Sequence, residues 1–266
     1  MTGRLPPART VGIALLTILA VLAAAGPDAF ELDPARQSLR DTLSMPSAQH
    51  VLGTDHLGRD MAARLLSGAR LSLSLALLAV ASAGLFGTAM GILSAWRGGW
   101  VDRAINAFSD AILALPGLLL VLMMAAIAPG SWWVLYIGIS LTLWVEYFRY
   151  CRQRTRILLD NPSVQASRLL GFGPTHILKR HIFPDLLPAL LTLAAFGAAT
   201  SVTAMAALGF VSVGLRPPTA EWGVMMTQLL PYWREAPWLI MQPIACLIIT
   251  VLALYLSVGT ITKPRI

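Results

Sequence analysis

Apolar residues gather into six long runs, at 10–26, 71–94, 104–128, 132–148, 188–213 and 237–260. A helix needs roughly 20 residues, at about 1.5 Å of rise each, to cross the hydrocarbon core of a bilayer. Each run is therefore read as one span. The first follows Arg4 and Arg9 and stops before Pro27, which is also the layout of a signal peptide. Because the rest of the chain is itself membrane-like, an uncleaved first span that sets orientation is the preferred reading. The polar segments between the runs are unequal. Pro27 to Arg70 is long and carries Asp28, Glu31, Asp33, Asp41, Asp55 and Asp60. Residues 95–103 form a short loop, and Pro129-Gly130-Ser131 a tight turn. Residues 149–187 form a long basic segment, and 214–236 a loop with Pro217, Pro218, Trp222 and Trp233.

Composition agrees. Of 266 residues, 56% are hydrophobic and 12% charged, against about 25% charged in a soluble domain. The fold class expected is an all-α membrane protein. The formal charge of +7 would raise nucleic-acid binding in a soluble protein. Here the basic residues lie between apolar runs and not on a domain of their own, so no nucleic-acid partner is expected. Their distribution sets the orientation instead. With the N-terminus in the cytoplasm, the inner segments hold thirteen basic and three acidic residues, and the outer ones seven basic and eight acidic. Excess Lys and Arg stay inside, so both termini are expected to be cytoplasmic. Cys151 and Cys246 fall on or near different spans and suggest neither a disulfide framework nor a metal site.

The basic segment carries the most local detail. Ser163 after Pro162 suits a helix N-cap. A short helix then runs through Val164, Gln165, Ala166, Ser167, Arg168, Leu169 and Leu170 to a bend at Gly171 and Gly173. Pro174 opens a second helix, and Pro184 and Pro188 are expected to end it before the fifth span. Small Ala166 and Ser167 beside Leu169 and Leu170 suit docking into a partner's groove. An ordinary cytoplasmic loop with an interfacial basic helix fits the same composition.

Three stretches resemble one family. VQASRLLGFGPTHILKRHIFPDLLP, 164–188, is similar to the cytoplasmic loop of ABC importer permeases, with Gln165, Ala166, Ser167 and Gly171 at its early positions and Ile182 and Pro184 at its late ones. Gln165 replaces the usual glutamate and Ser167 the second alanine. QHVLGTDHLGRDMAARLLSGARLSL, 49–73, resembles the segment before the second span in the dipeptide, oligopeptide and nickel permeases. It carries Gly53, Asp55, Gly58, Arg59, Asp60 and Arg64. LGFVSVGLRPPTAEWGVMM, 208–226, resembles a third family stretch, although Gly209 and Ser212 depart from it. The tail at Lys263 to Ile266 also departs.

The resemblance implies a type I importer fold with a permease domain at 71–260, an N-terminal span and external segment at 1–70, and a tail at 261–266. It implies a coupling loop at 149–187, with Gln165, Ala166, Ser167, Leu169, Leu170, Gly171, Ile182 and Pro184 as coupling residues. The implied partners are a second permease subunit, two ATP-binding subunits that use ATP and Mg, and an external binding protein. The implied location is the bacterial inner membrane. HVLGTDHLGRD, QASRL and PTAEWGVM lean toward the nickel or metal-chelate branch over peptides.

For residues 49–73, a structural cap over the outer mouth is preferred to substrate contact. Asp55 and Asp60 are placed to offset Arg59 and Arg64. Within the spans, Asp110 and Glu146 are candidates for the translocation path, because carboxylates at membrane depth are functional by default. Met123-Met124 and Met225-Met226 read as packing, and His50 with His56 makes too small a ligand set for a metal. The chain has no G-x-x-x-x-G-K-[ST] phosphate loop and no H-E-x-x-H, so no cofactor is expected on it. The rival readings are an intramembrane enzyme and a non-transporting scaffold.

Overall fold

The computed structural model describes residues 7–29 and 33–258. The tail at 261–266, with Lys263 and Arg265, lies outside the described residues, as do Arg4 and Glu31. The helices are α1 Pro7–Ala29, α2 Met61–Arg97, α3 Gly99–Leu113, α4 Gly117–Ile127, α5 Trp132–Leu159, α6 Pro162–Leu169, α7 Pro174–Ile177, α8 Phe183–Phe210, α9 Trp222–Leu229 and α10 Pro237–Val258. Among the described residues there is no strand, only an isolated bridge between Thr54 and Asp60.

Residues 7–26, 61–97, 174–210 and 237–258 each form a helical run long and apolar enough to cross a membrane, and α3 with α4 meets that standard as a bent pair. The remaining expected run falls on α5, 28 residues long but carrying Glu146, Arg149 and several polar aromatics. α5 packs along α2 through its buried residues, while Glu146 and Arg149 stay exposed. Gly87 and Gly91 of α2 let it come close. A Cβ at Gly91 would stand 2.7 Å from the carbonyl oxygen of Phe148, and one at Gly87 would run into that of Trp144. Small residues at such a seam let backbones approach, and van der Waals packing then holds helices that lipid does not drive together. Leu75, Ala79, Leu143, Tyr147 and Phe148 fill the same core.

Three boundaries differ from expectation. The second helix begins at Met61, ten residues before the apolar run, because Asp60 caps it by accepting from the Ala63 N–H at 2.9 Å and its polar first turns are buried. The span expected at 104–128 is bent by 78°. Pro116 has no N–H to continue the helix and disfavours helical geometry at Leu115. Pro184 and Pro188 do not end a helix. α7 passes through a π turn at Leu178–Ile182 straight into α8. Pro184 occupies the first turn of α8, where no N–H is needed, and Pro188 is carried inside it.

α1 packs on α10 and α2. A Cβ at Gly12 would meet the backbone of Leu256 and Ser257, and one at Gly26 would meet Leu66. The start of α1 and the end of α10 therefore share one end of the bundle.

Candidate functional site

At one end of the bundle, α5 and α8 are joined by the loop that holds α6 and α7. Asn161, not Ser163, caps α6: its side chain accepts from the Ser163 N–H at 3.0 Å, and Pro162 takes the first helical position. Gly171 then turns the chain at φ +81°, a conformation that an L side chain resists. Val164, Ile177 and Ile182 are buried with Cys151, Leu158 and Leu186 in a small core of their own. Arg154 fastens α5 to α8 through Asp185 at 2.6 and 2.9 Å, and the Arg168 guanidinium lies 5.7 Å from the Trp96 ring.

Above this base the tip is bare. Leu169 is 89% and Leu170 76% exposed, while Gln165, Ala166 and Pro184 are also exposed and Ser167 half-buried. Ser167 donates to the Ser163 carbonyl at 2.9 Å and meets His181 at 3.0 Å. Gln165 donates to the Leu159 carbonyl at 3.0 Å. The structure thus gathers Gln165, Ala166, Ser167, Leu169, Leu170 and Gly171 on α6 and its bend, buries Ile182 wholly in the base, and places Pro184 in the first turn of α8.

At the opposite end, Asp55, Arg59 and Arg64 are each about 1% exposed. Arg59 Nε donates to Asp55 at 2.6 Å, and Arg64 Nε stands 3.4 Å from the same carboxylate oxygen. Gln228 on α9 accepts from both guanidinium groups, at 3.2 and 2.8 Å. One carboxylate therefore faces both arginines. Asp60 does not share in this: it caps α2 and receives His50 at 2.8 Å. Gly53 and Gly58 adopt φ of +79° and +67° in the turns that frame the cluster. Burial lowers the pKa of His56, with Arg59 and Arg64 acting in the same sense and Asp55 against it, and its ring stacks on Tyr232.

Gln228 was not singled out from the sequence, although it is a rare polar residue in the apolar stretch VMMTQLL. Trp222 is buried on Gly68 and donates to the Leu65 carbonyl at 3.2 Å. The Pro217-Pro218 segment is a turn closed from Thr219 to Arg216 at 3.1 Å. Beside it Glu221 caps α9 through the N–H groups of Gly223 and Val224, at 2.9 and 3.0 Å. Burial nonetheless pushes its carboxyl up to about 7.

The two intramembrane candidates do not form one site. Asp110 pairs with Arg149 at 2.7 Å in a cavity of about 460 Å³ that Arg152 and Arg156 also line. Glu146 lines another cavity, of about 470 Å³, between α4, α5, α8 and α10. A charge cluster the sequence did not single out lies beside the first: Asp102 receives Arg152 at 2.5 and 2.7 Å and Arg156 at 2.6 Å. Among the described residues no group of three His, Cys, Asp or Glu could hold a metal ion.

Residues 87–266 match the family described as binding-protein-dependent transport system inner membrane component. The chain is 32% identical over 233 residues to the dipeptide transport system permease protein DppC of Alkalihalophilus pseudofirmus, covering 88% of this chain and 77% of that protein. It is 29% identical over 240 residues to the oligopeptide transport system permease protein OppC of Bacillus subtilis, covering 90% and 79%. Its fold is similar to a chain of the MetNI methionine ABC transporter solved in inward-facing conformations. That match has a TM-score of 0.57 at 19% identity and covers 72% of this chain and 91% of the other.

Proposed function

The chain belongs to the family of binding-protein-dependent transport system inner membrane components, and on that premise we propose that it is the permease half of an ATP-driven importer of short peptides. It is a permease subunit of an ABC importer; the partners and the cargo are the proposal. A second permease subunit encloses the path with it, two ATP-binding subunits use ATP and Mg, and an external binding protein delivers the peptide.

The observation that carries the assembly is the exposed Leu169–Leu170 tip on a firmly packed base. Two large apolar side chains bare to this extent, on a loop closed by Gly171, suit a groove in a partner. Because α5 ends and α7–α8 begins in this loop, a push on α6 reaches both helices. Nucleotide-driven closure of the ATP-binding subunits would in this way open and close the path. Residues 53–64 serve as a structural cap at the outer mouth, a role supported by the burial of Asp55, Arg59 and Arg64.

Peptide cargo is supported by the names of the DppC and OppC relatives. The nickel or metal-chelate lean of the sequence has no counterpart in those names. The bacterial inner membrane with both termini cytoplasmic is supported by the charge balance and by the shared end of α1 and α10. Fusions of a topology reporter after Met45, Gly98, Gly130, Leu170 and Met225 test it: a cytoplasmic signal at Met225 or an external one at Leu170 defeats the orientation. Cargo and partners are tested together. The complex is purified, reconstituted with its binding protein, and offered a labelled dipeptide or a labelled nickel chelate. Dipeptide uptake that requires ATP is expected; uptake of the chelate alone overturns the peptide reading.

A further inference from the structure

Helix α5 carries a polar stripe at helical spacing, Thr142, Glu146, Arg149 and Gln153. Thr142 is half-buried and the other three are exposed. Counting from Trp132 at about 1.5 Å per residue, Glu146 lies roughly 21 Å and Arg149 roughly 26 Å along the helix, within a hydrocarbon core of about 30 Å. Charged side chains at that depth face a bundle interior or a water-filled path rather than lipid. Both cavities described above open on this stripe, Glu146 lining one and Arg149 the other.

The two charges differ in how far they are satisfied. Glu146 has no hydrogen bond or ion pair with any other described residue. Its cavity is otherwise apolar apart from Tyr255 and the hydroxyls of Thr142, Thr200 and Thr203. Thr142 and Thr203 donate to the carbonyls of Ile139 and Ala199, both at 2.8 Å, so their oxygens remain acceptors. With only the Thr200 and Tyr255 hydroxyls left as donors, a carboxylate in this otherwise apolar cavity suits a cation with several donors, which an ammonium group supplies. Arg149 gives one N–H to Asp110. That pair is more than half exposed on both sides, and such pairs contribute little. The guanidinium has five donors, so most remain for a second carboxylate.

We propose that Glu146 and Arg149 receive the ammonium and the carboxylate of a free peptide inside the translocation path. The inference rests on the peptide-importer reading. Residues three apart on a helix hold their Cβ atoms about 5–6 Å apart, and a dipeptide at full extension spans at most about 7 Å, so both ends reach their partners along one helix. Leu118, Val121 and Leu143 give the side chains an apolar wall. The peptide would bridge the Glu146 cavity and the Arg149 cavity, which share the α5 stripe but no lining residue.

The test uses the whole transporter, with partner permease, ATP-binding subunits and binding protein, in proteoliposomes. Uptake of a free dipeptide, its N-acetyl form and its C-terminal amide is measured for wild type, Glu146→Gln and Arg149→Gln. The binding protein's own selectivity is common to all three and cancels when ratios are compared. Glu146→Gln is expected to lower the free-to-acetyl ratio roughly tenfold, the loss of one charge-assisted contact, and to leave the free-to-amide ratio alone. Arg149→Gln is expected to do the reverse. Unchanged ratios in both variants overturn the proposal, and so does a loss of the partner permease from Glu146→Gln without a change in ratio. If Glu146→Gln does not assemble, Glu146→Asp decides: its retracted carboxylate should slow free peptide more than acetylated peptide, and equal slowing overturns the idea. Wild type that hydrolyses ATP with the binding protein yet imports no peptide overturns the peptide-importer reading itself, an outcome distinct from uptake with unchanged ratios.

Discussion

The two ends of the molecule treat their side chains in opposite ways. At the end where α2 begins, Asp55, Arg59 and Arg64 are charged, buried and joined to Gln228 within the same chain. At the end that holds α6, Leu169 and Leu170 are apolar and lie bare. Burying charges carries a desolvation penalty that only internal partners offset. An apolar pair left in water forgoes the stabilisation that burial would bring. The first region is thus completed by its own fold, and the second leaves its apolar pair uncovered by the described chain. Substitutions should therefore act on stability around Asp55 and on assembly around Leu169.

The largest effect expected follows from Asp55→Ala. It leaves two buried guanidinium groups with a single neutral acceptor, and breaking a buried pair from one side costs about 3–5 kcal/mol. Thermal unfolding in detergent should show a strongly destabilised protein. Leu169→Ala with Leu170→Ala should unfold as wild type does, because neither side chain is packed, yet lose the ATP-binding subunits on purification. The contrast between the ends fails if these two results are exchanged.

A second effect concerns Glu221. The Glu221 carboxyl titrates near 7 in the fold, against an ordinary 4.5. Its contribution is therefore full below about pH 4.5 and is lost as the pH rises through about 7, an effect of up to roughly 3 kcal/mol. The unfolding midpoint should fall between pH 5 and pH 8, and Glu221→Gln should flatten that slope. A midpoint that rises over the same interval contradicts the buried acid.

What the sequence made legible follows the same division. The helical runs were plain, because lipid demands unbroken apolar length and the chain supplies it. The start of α2 was hidden, because MAARLLSGAR looks polar until Arg64 is seen to be buried against Asp55, nine residues earlier. The prolines misled in both directions. Pro116 breaks a run that composition alone makes continuous, whereas Pro188 rides inside α8. The α6 loop was readable because it is local: its helix and glycine bend lie within about a dozen residues, although the cap falls on Asn161, two residues before the expected Ser163. Gln228 and the Asp102–Arg152–Arg156 cluster were not, because their partners are far apart in the chain and pairing across such distances leaves no spacing to read.

Ala166→Trp adds bulk to an exposed surface of α6 without touching the base. The permease should fold normally. If α6 docks closely, overpacking of about 1–3 kcal/mol should reduce recovery of the ATP-binding subunits and uncouple hydrolysis from uptake. Full recovery and coupling would remove α6 from the docking surface.

The smallest effect concerns Gln165, where the resembling family has glutamate. The Gln165 amide donates to the Leu159 carbonyl at 3.0 Å, linking α6 back to the last residue of α5. A carboxylate cannot make that bond, and a part-buried hydrogen bond of this kind is worth about 0.5–1.5 kcal/mol. A negative charge near the start of α6 gains about 0.3–1 kcal/mol from the helix dipole. The two terms oppose each other, so Gln165→Glu should assemble and transport almost as wild type does. Gln165→Ala loses the bond and gains no charge, so it should be impaired by a few-fold in subunit recovery. Each variant has a distinct way to fail. Impairment of Gln165→Glu beyond that of Gln165→Ala would mean that the partner's groove rejects the carboxylate, burying it unpaired. Equal and normal behaviour of both variants would mean that the α5–α6 link does not position the docking helix, leaving that task to Val164, Asn161 and the Arg168–Trp96 contact.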